Sequence, residues 1–146
     1  MKRLRLLRPA LAGAVLLATP LRAQRIGGVD IEALLRALAA VESGSDPRAI
    51  GRAGERSQWQ IRPATWRQYT RAPFAAATTN EVLAQLVART HLRTLLAVAE
   101  RRHGAAWRHF TPHGRAAEVA RRWNPRAPAA YAKRVANLYE IEAARK

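Results

Sequence analysis

The sequence predicts a mostly α protein, a single domain of about five or six helices. Three observations predict it. The chain has 146 residues, the length of one small domain. Hydrophobic residues make up 49% of it, enough to build a core. Apolar residues recur at helical spacing, and no segment sustains the apolar–polar alternation of a strand.

The N-terminus is expected to lie outside the fold. Lys2, Arg3, Arg5 and Arg8 form a basic run, and Pro9 to Leu21 an apolar stretch too short to span a bilayer comfortably. Leu21-Arg22-Ala23 then ends on a small residue, as a cleavage site does. Residues 1–23 therefore read as a signal peptide, and 24–146 as the domain. The alternative is an uncleaved N-terminal helix. On the first reading the protein is exported, to a bacterial periplasm or beyond, and no transmembrane segment follows cleavage.

The elements of the domain follow in order. Asp30 caps a helix whose first turn holds Glu32 and whose stripe is Ile31, Leu34, Leu35 and Leu38. Gly44 ends it. A loop rich in turn residues runs to Gly54. Pro63 opens a short helix over 64–69. Thr79 or Asn80 caps a long helix reaching about Arg102, with Val82, Leu83, Leu86, Val87, Leu95 and Leu96 as its inner face; His103-Gly104 stops it. A short helix is expected from Arg115 to Trp123. The last runs from Ala129 to about Ala143, with Tyr131, Val135, Leu138 and Tyr139 inward.

Composition excludes several chemistries. With no cysteine, disulfides, thiolate nucleophiles and Cys-based zinc sites are ruled out. Five of the 26 basic residues and none of the ten acidic ones fall in residues 1–23, so the rest of the chain carries +11. That charge favours weak binding to polyanions. It does not by itself specify a nucleic-acid partner. His103, His109 and His113 lie near one another without metal-ligand spacing or an acid among them, so surface or helix-end roles are expected and no metal.

One residue breaks the pattern. Glu42 continues the stripe of Ile31, Leu35 and Leu38, so it should face the core or a cleft edge. Burial and the helix C-terminus both favour its neutral form there, and a carboxyl kept protonated is a good general acid. The alternative is a frayed helix end with its carboxylate in water.

The stretch after it resembles the lysozyme-like lytic transglycosylases of the soluble type, whose consensus runs E-S, S-x-A-G-A-x-G-L-M-Q-I and M-P-A-T. Glu42-Ser43-Gly44 occupies the acid position, Asp46-Pro47-Arg48-Ala49 the turn, Ala53-Gly54 the A-G step, Gln60-Ile61 the Q-I step and Pro63-Ala64-Thr65 the helix start. A second block, Arg122-Trp123-Asn124 followed by Tyr131-Ala132-Lys133-Arg134-Val135, resembles the family's A-Y-N-A-G and Y-V-x-x-V. The resemblance covers most of residues 30–140. The departures are Gly51 for the loop serine, Ser57-Gln58-Trp59 for G-L-M, Trp123 for the tyrosine that steers the acid, and Pro125-Arg126 after Asn124.

The resemblance implies a lysozyme-like fold and cleavage of the β-1,4 bond between N-acetylmuramic acid and N-acetylglucosamine in peptidoglycan. Glu42 would protonate the leaving oxygen, then take the proton of the muramoyl 6-hydroxyl as a 1,6-anhydro ring closes. The route needs one carboxylate and no cofactor. Gln60, Trp123, Asn124 and Tyr131 are the candidate substrate-binding residues, although Gln60 fits a structural role equally and Tyr131 a core one. Asp46 most simply shapes a turn. Glu55 is expected as a solvated partner of Arg52 or Arg56. Two of Trp59, Trp66, Trp107 and Trp123 are expected in the core, the others as sugar-stacking faces. Two other functions stay open: a lysozyme-type hydrolase at the same site, and a non-catalytic wall- or polyanion-binding module.

Overall fold

A computed structural model describes residues 25–145; the segment read as a signal peptide lies outside them. The described residues open with a two-stranded antiparallel hairpin, β1 (Arg25–Ile26) and β2 (Val29–Asp30), in which Arg25 pairs with Asp30 and Ile26 with Val29. Gly27 and Gly28 turn it, both at positive φ, as a two-residue hairpin turn requires. A Cβ on Gly28 would overlap the Arg115 guanidinium. Arg115 Nη1 donates to the Gly27 carbonyl at 3.0 Å, tying the hairpin to a helix far along the chain.

Six α-helices follow. Helix α1 (Ile31–Ser43) starts where Asp30 Oδ1 accepts the Ala33 N–H and ends at Gly44, whose left-handed φ of 67° ends the helical run. Its expected stripe, Ile31, Leu34, Leu35 and Leu38, is buried. Helix α2 (Pro63–Tyr69) begins on Pro63 and buries Trp66 completely; the Trp66 Nε1 donates to the Ala72 carbonyl. After the single turn α3 (Ala76–Thr79), α4 (Glu81–His103) is capped by Asn80. A 3₁₀ segment (Gly104–His109) leads to α5 (Pro112–Trp123), and α6 (Ala129–Ala144) closes the fold. Helix α6 packs along α1 and α5. The core joins Leu34 and Leu38 of α1 to Leu92 and Leu96 of α4, Val119 of α5 and Val135 of α6. The Tyr139 hydroxyl accepts the Asp30 backbone N–H at 3.1 Å, fixing α6 to the start of α1.

The structure corrects the sequence reading in several places. Val82 and Leu86 are not on the inner face of α4; they are 79% and 55% exposed. The buried stripe instead runs Ala84, Val87, Ala88, Leu92, Leu96 and Ala99. Alanines allow neighbouring backbones close to α4, and counting only large side chains rotated the predicted face. Helix α5 begins at Pro112 rather than Arg115, because Thr111 caps it and Pro112 takes the first helical position. Three tryptophans are buried, not two: Trp59, Trp66 and Trp107. The stretch 81–109 is long and apolar enough to cross a bilayer by length and composition. In this fold it carries the inner stripe of α4 against α1, α2 and α5.

Candidate functional site

The site is organised by the last turn of α1 and the loop over 44–62. Ser43, beside Glu42, anchors that loop. Its hydroxyl donates to the Gln58 carbonyl at 3.0 Å and accepts the Asp46 N–H at 3.1 Å. Asp46 shapes the turn as expected, its Oδ1 accepting the Arg48 N–H. The loop then doubles back through bridges from Arg56 to Ile50 and to Ile61. It holds three non-glycine residues at positive φ: Ser45 at 67°, Ser57 at 71° and Gln60 at 47°. Such residues carry local strain, which persists only where surrounding contacts over-determine it. Ser57 holds a glycine-type backbone while fully buried.

These elements enclose a cavity of about 180 Å³ lined by Glu42, Glu55, Gln60, Arg62, His91, Trp123 and Asn124, with Gly51, Arg52, Ile61 and Thr65 completing its wall. Ordinary ligand clefts run to roughly 300–1,000 Å³. The enclosed part is thus small, and a polymeric ligand would extend beyond it.

Glu42 is partly buried, and its Oε1 accepts the Tyr131 hydroxyl at 2.5 Å. Burial pushes the Glu42 carboxyl above its usual range, and the Glu55 charge adds to this; the Tyr131 bond and the Arg62 charge oppose it without reversing the direction. Tyr131 is pushed the same way, above the usual phenol range, by burial and by the neighbouring carboxylate. It therefore remains the donor. This bond occupies Oε1. His91 enters from α4, its Nδ1 3.1 Å from the Tyr69 hydroxyl, and burial lowers its affinity for a second proton.

Of the residues predicted from sequence, Glu42, Gln60, Trp123 and Asn124 line one cavity. Gln60 lines the cavity, and its Nε2 makes a structural bond, donating to the Ser57 carbonyl at 2.9 Å. Trp123 is a partly buried wall, with its Nε1 donating to the Trp59 carbonyl and its ring 5.2 Å from that of His91. Asn124 closes α5, its N–H bonded to Ala120. Tyr131 is not a cavity-lining residue; it reaches the site through Glu42. A hydroxyl thus reaches Glu42 from α6. Glu55 is not the partner of Arg52 or Arg56: it forms no ion pair among the described residues, and it faces the cavity. The histidine group also resolves structurally. His103 bonds Glu118 and His113 bonds Asn137, and no metal-holding cluster occurs among the described residues.

His91 and Glu55 line the cavity although the sequence places neither there. His91 sits in mid-helix with no local signal. For Glu55 the signal was available, since an acid in so basic a loop needs a reason. The chain matches no family model, no curated protein and no solved structure.

Proposed function

We propose that this protein is a peptidoglycan lytic transglycosylase, exported and acting on glycan strands at the β-1,4 bond between N-acetylmuramic acid and N-acetylglucosamine. One observation carries the reading. A single helix-end carboxyl, Glu42, opens onto a cavity with its proton affinity raised by burial and one oxygen held by Tyr131. That is the state a general acid needs. The protonated Glu42 gives its proton to the leaving O4 as the C1–O4 bond breaks. The resulting carboxylate then takes the proton of the muramoyl 6-hydroxyl, and O6 closes onto C1. Atoms balance without water, and Glu42 ends protonated. Trp123 offers a ring face to a sugar, and Gln60 and Asn124 offer amides to its hydroxyl and N-acetyl groups.

A hydrolase at the same site is the second reading, favoured by the Glu55 carboxylate in the cavity. Digestion of purified sacculi followed by mass spectrometry tests both. Anhydro-muropeptides support the transglycosylase, and reducing ends support a hydrolase. Intact glycan would refute cleavage altogether and leave a binding module.

A further inference from the structure

The loop over 51–60 departs from the family pattern at two positions that the structure brings together. Glycine replaces serine at 51, and Glu55 replaces a small residue. A Cβ on Gly51 would overlap both Glu55 Oε2 and Gln60 Oε1. The two polar heads thus occupy the space beside Gly51 that a side chain there would need. The loop aims Glu55 locally: its carbonyl accepts the Gly51 N–H at 2.8 Å, and its Oε2 accepts the Ala53 N–H at 3.1 Å. Three acids, Glu32, Glu118 and Glu142, hold all the ion pairs among the described residues, and Glu55 is not one of them. This is notable in a chain with 26 basic residues and only ten acids. An oriented carboxylate with no ion pair, in the same cavity as the proposed acid, is placed to act on something that enters the cavity.

Resting on the glycan-cleavage reading above, we propose that Glu55 is a second catalytic carboxylate: a base for a water molecule that competes with the muramoyl 6-hydroxyl for C1. Glu42 gives its proton to O4 as the C1–O4 bond breaks. Water oxygen bonds to C1 while Glu55 takes one water proton, leaving a reducing end. Glu55 then releases that proton to solvent, and Glu42 regains one. One water is consumed per bond. Paired carboxylates of this kind are how most glycosidases add water. The nearby Glu55 charge also raises the proton affinity of Glu42, which favours Glu42 as the acid.

The test digests sacculi in ¹⁸O-labelled water with the full chain and reads the products by mass spectrometry. The wild type should yield both anhydro ends and reducing ends carrying ¹⁸O at C1. Glu55→Gln should lower the ratio of reducing to anhydro ends at least tenfold. Partial unfolding would lower both products together and leave the ratio intact. Gly51→Ala, which pushes the Glu55 and Gln60 heads aside, should lower the ratio in the same direction. If Glu55→Gln forms no product at all, Glu55→Ala with added azide decides. Azide needs no base, so glycosyl azide products support the role, and their absence overturns it. An unchanged ratio in Glu55→Gln, or a wild type that makes only anhydro ends, overturns the Glu55 role while leaving Glu42 as the acid. Absence of any cleavage by the wild type overturns the underlying glycan-cleavage reading as well.

Discussion

Tyr131→Phe isolates the contact on which the proposed acid depends. The hydroxyl donates to Glu42 Oε1 at 2.5 Å, and phenylalanine removes only that oxygen from a partly buried ring. A hydrogen bond to a charged group contributes about 1.5–3 kcal/mol. The lower end applies here, because both partners are only partly buried and water can replace part of the bond. A loss of about 1.4 kcal/mol is tenfold in rate, so kcat should fall about tenfold. The pH profile carries a second signal. The bond favours the ionised form of Glu42, so removing it lets Glu42 hold its proton to higher pH. Cleavage needs the protonated acid, and the alkaline limb of the profile should therefore move upward. Initial rates on a soluble glycan substrate across pH 4–9 would measure both effects. A limb that stays in place or moves down, or a loss confined to KM, refutes the assignment of Tyr131 as the residue positioning Glu42.

Three further expectations follow from the same contacts. Glu42→Gln should reduce cleavage by about 10²- to 10⁴-fold, the usual contribution of a general acid. Its stability change has a definite sign. The folded protein raises the proton affinity of Glu42, so the carboxylate destabilises the fold above the ordinary carboxyl range and costs nothing below it. The variant should melt at or above the wild-type temperature at pH 7, with the difference vanishing near pH 4. Glu118 behaves oppositely. Burial opposes its charge, but bonds from His103, Arg121 and Arg122 prevail and hold it at about 2. Its contribution is present above the ordinary carboxyl value of about 4.5 and is lost as pH falls toward 2. Its partner Arg121 is largely exposed, so Glu118→Gln should cost about 1–2 kcal/mol at pH 7. The gap in urea midpoints should close by about pH 2. Trp123→Ala should cost about 2 kcal/mol, below the roughly 3–5 kcal/mol of a fully buried tryptophan, because the ring is partly buried and bonded through Nε1 to Trp59. It should also weaken glycan binding several-fold by calorimetry. A loss at the full core value would mean the ring supports the fold rather than the cavity.

Local chemistry made much of this protein legible in sequence. The mostly α class and the ends of α1 follow from Asp30, Gly44 and the apolar stripe between them, because capping and helical periodicity act over a few residues. The same periodicity places Glu42 on an inner-facing line, and the turn chemistry of Asp46 needs only its neighbours. Tertiary structure decided the rest. The partner of Glu42 lies 89 residues away on α6, and His91 arrives from the middle of α4. No spacing rule encodes such meetings; they depend on how α1, α4 and α6 pack. The inner face of α4 was misread because its contact stripe is built partly from alanines, whose role appears only when a neighbouring backbone comes close. Glu55 looked like a solvated partner for adjacent arginines by sequence distance. Loop closure from Gly51 to Glu55, and the room that the missing side chain of Gly51 leaves for its head, turned it into the cavity instead. Neighbours in the chain set backbone conformation, while packing at a distance sets which charged groups share a cavity.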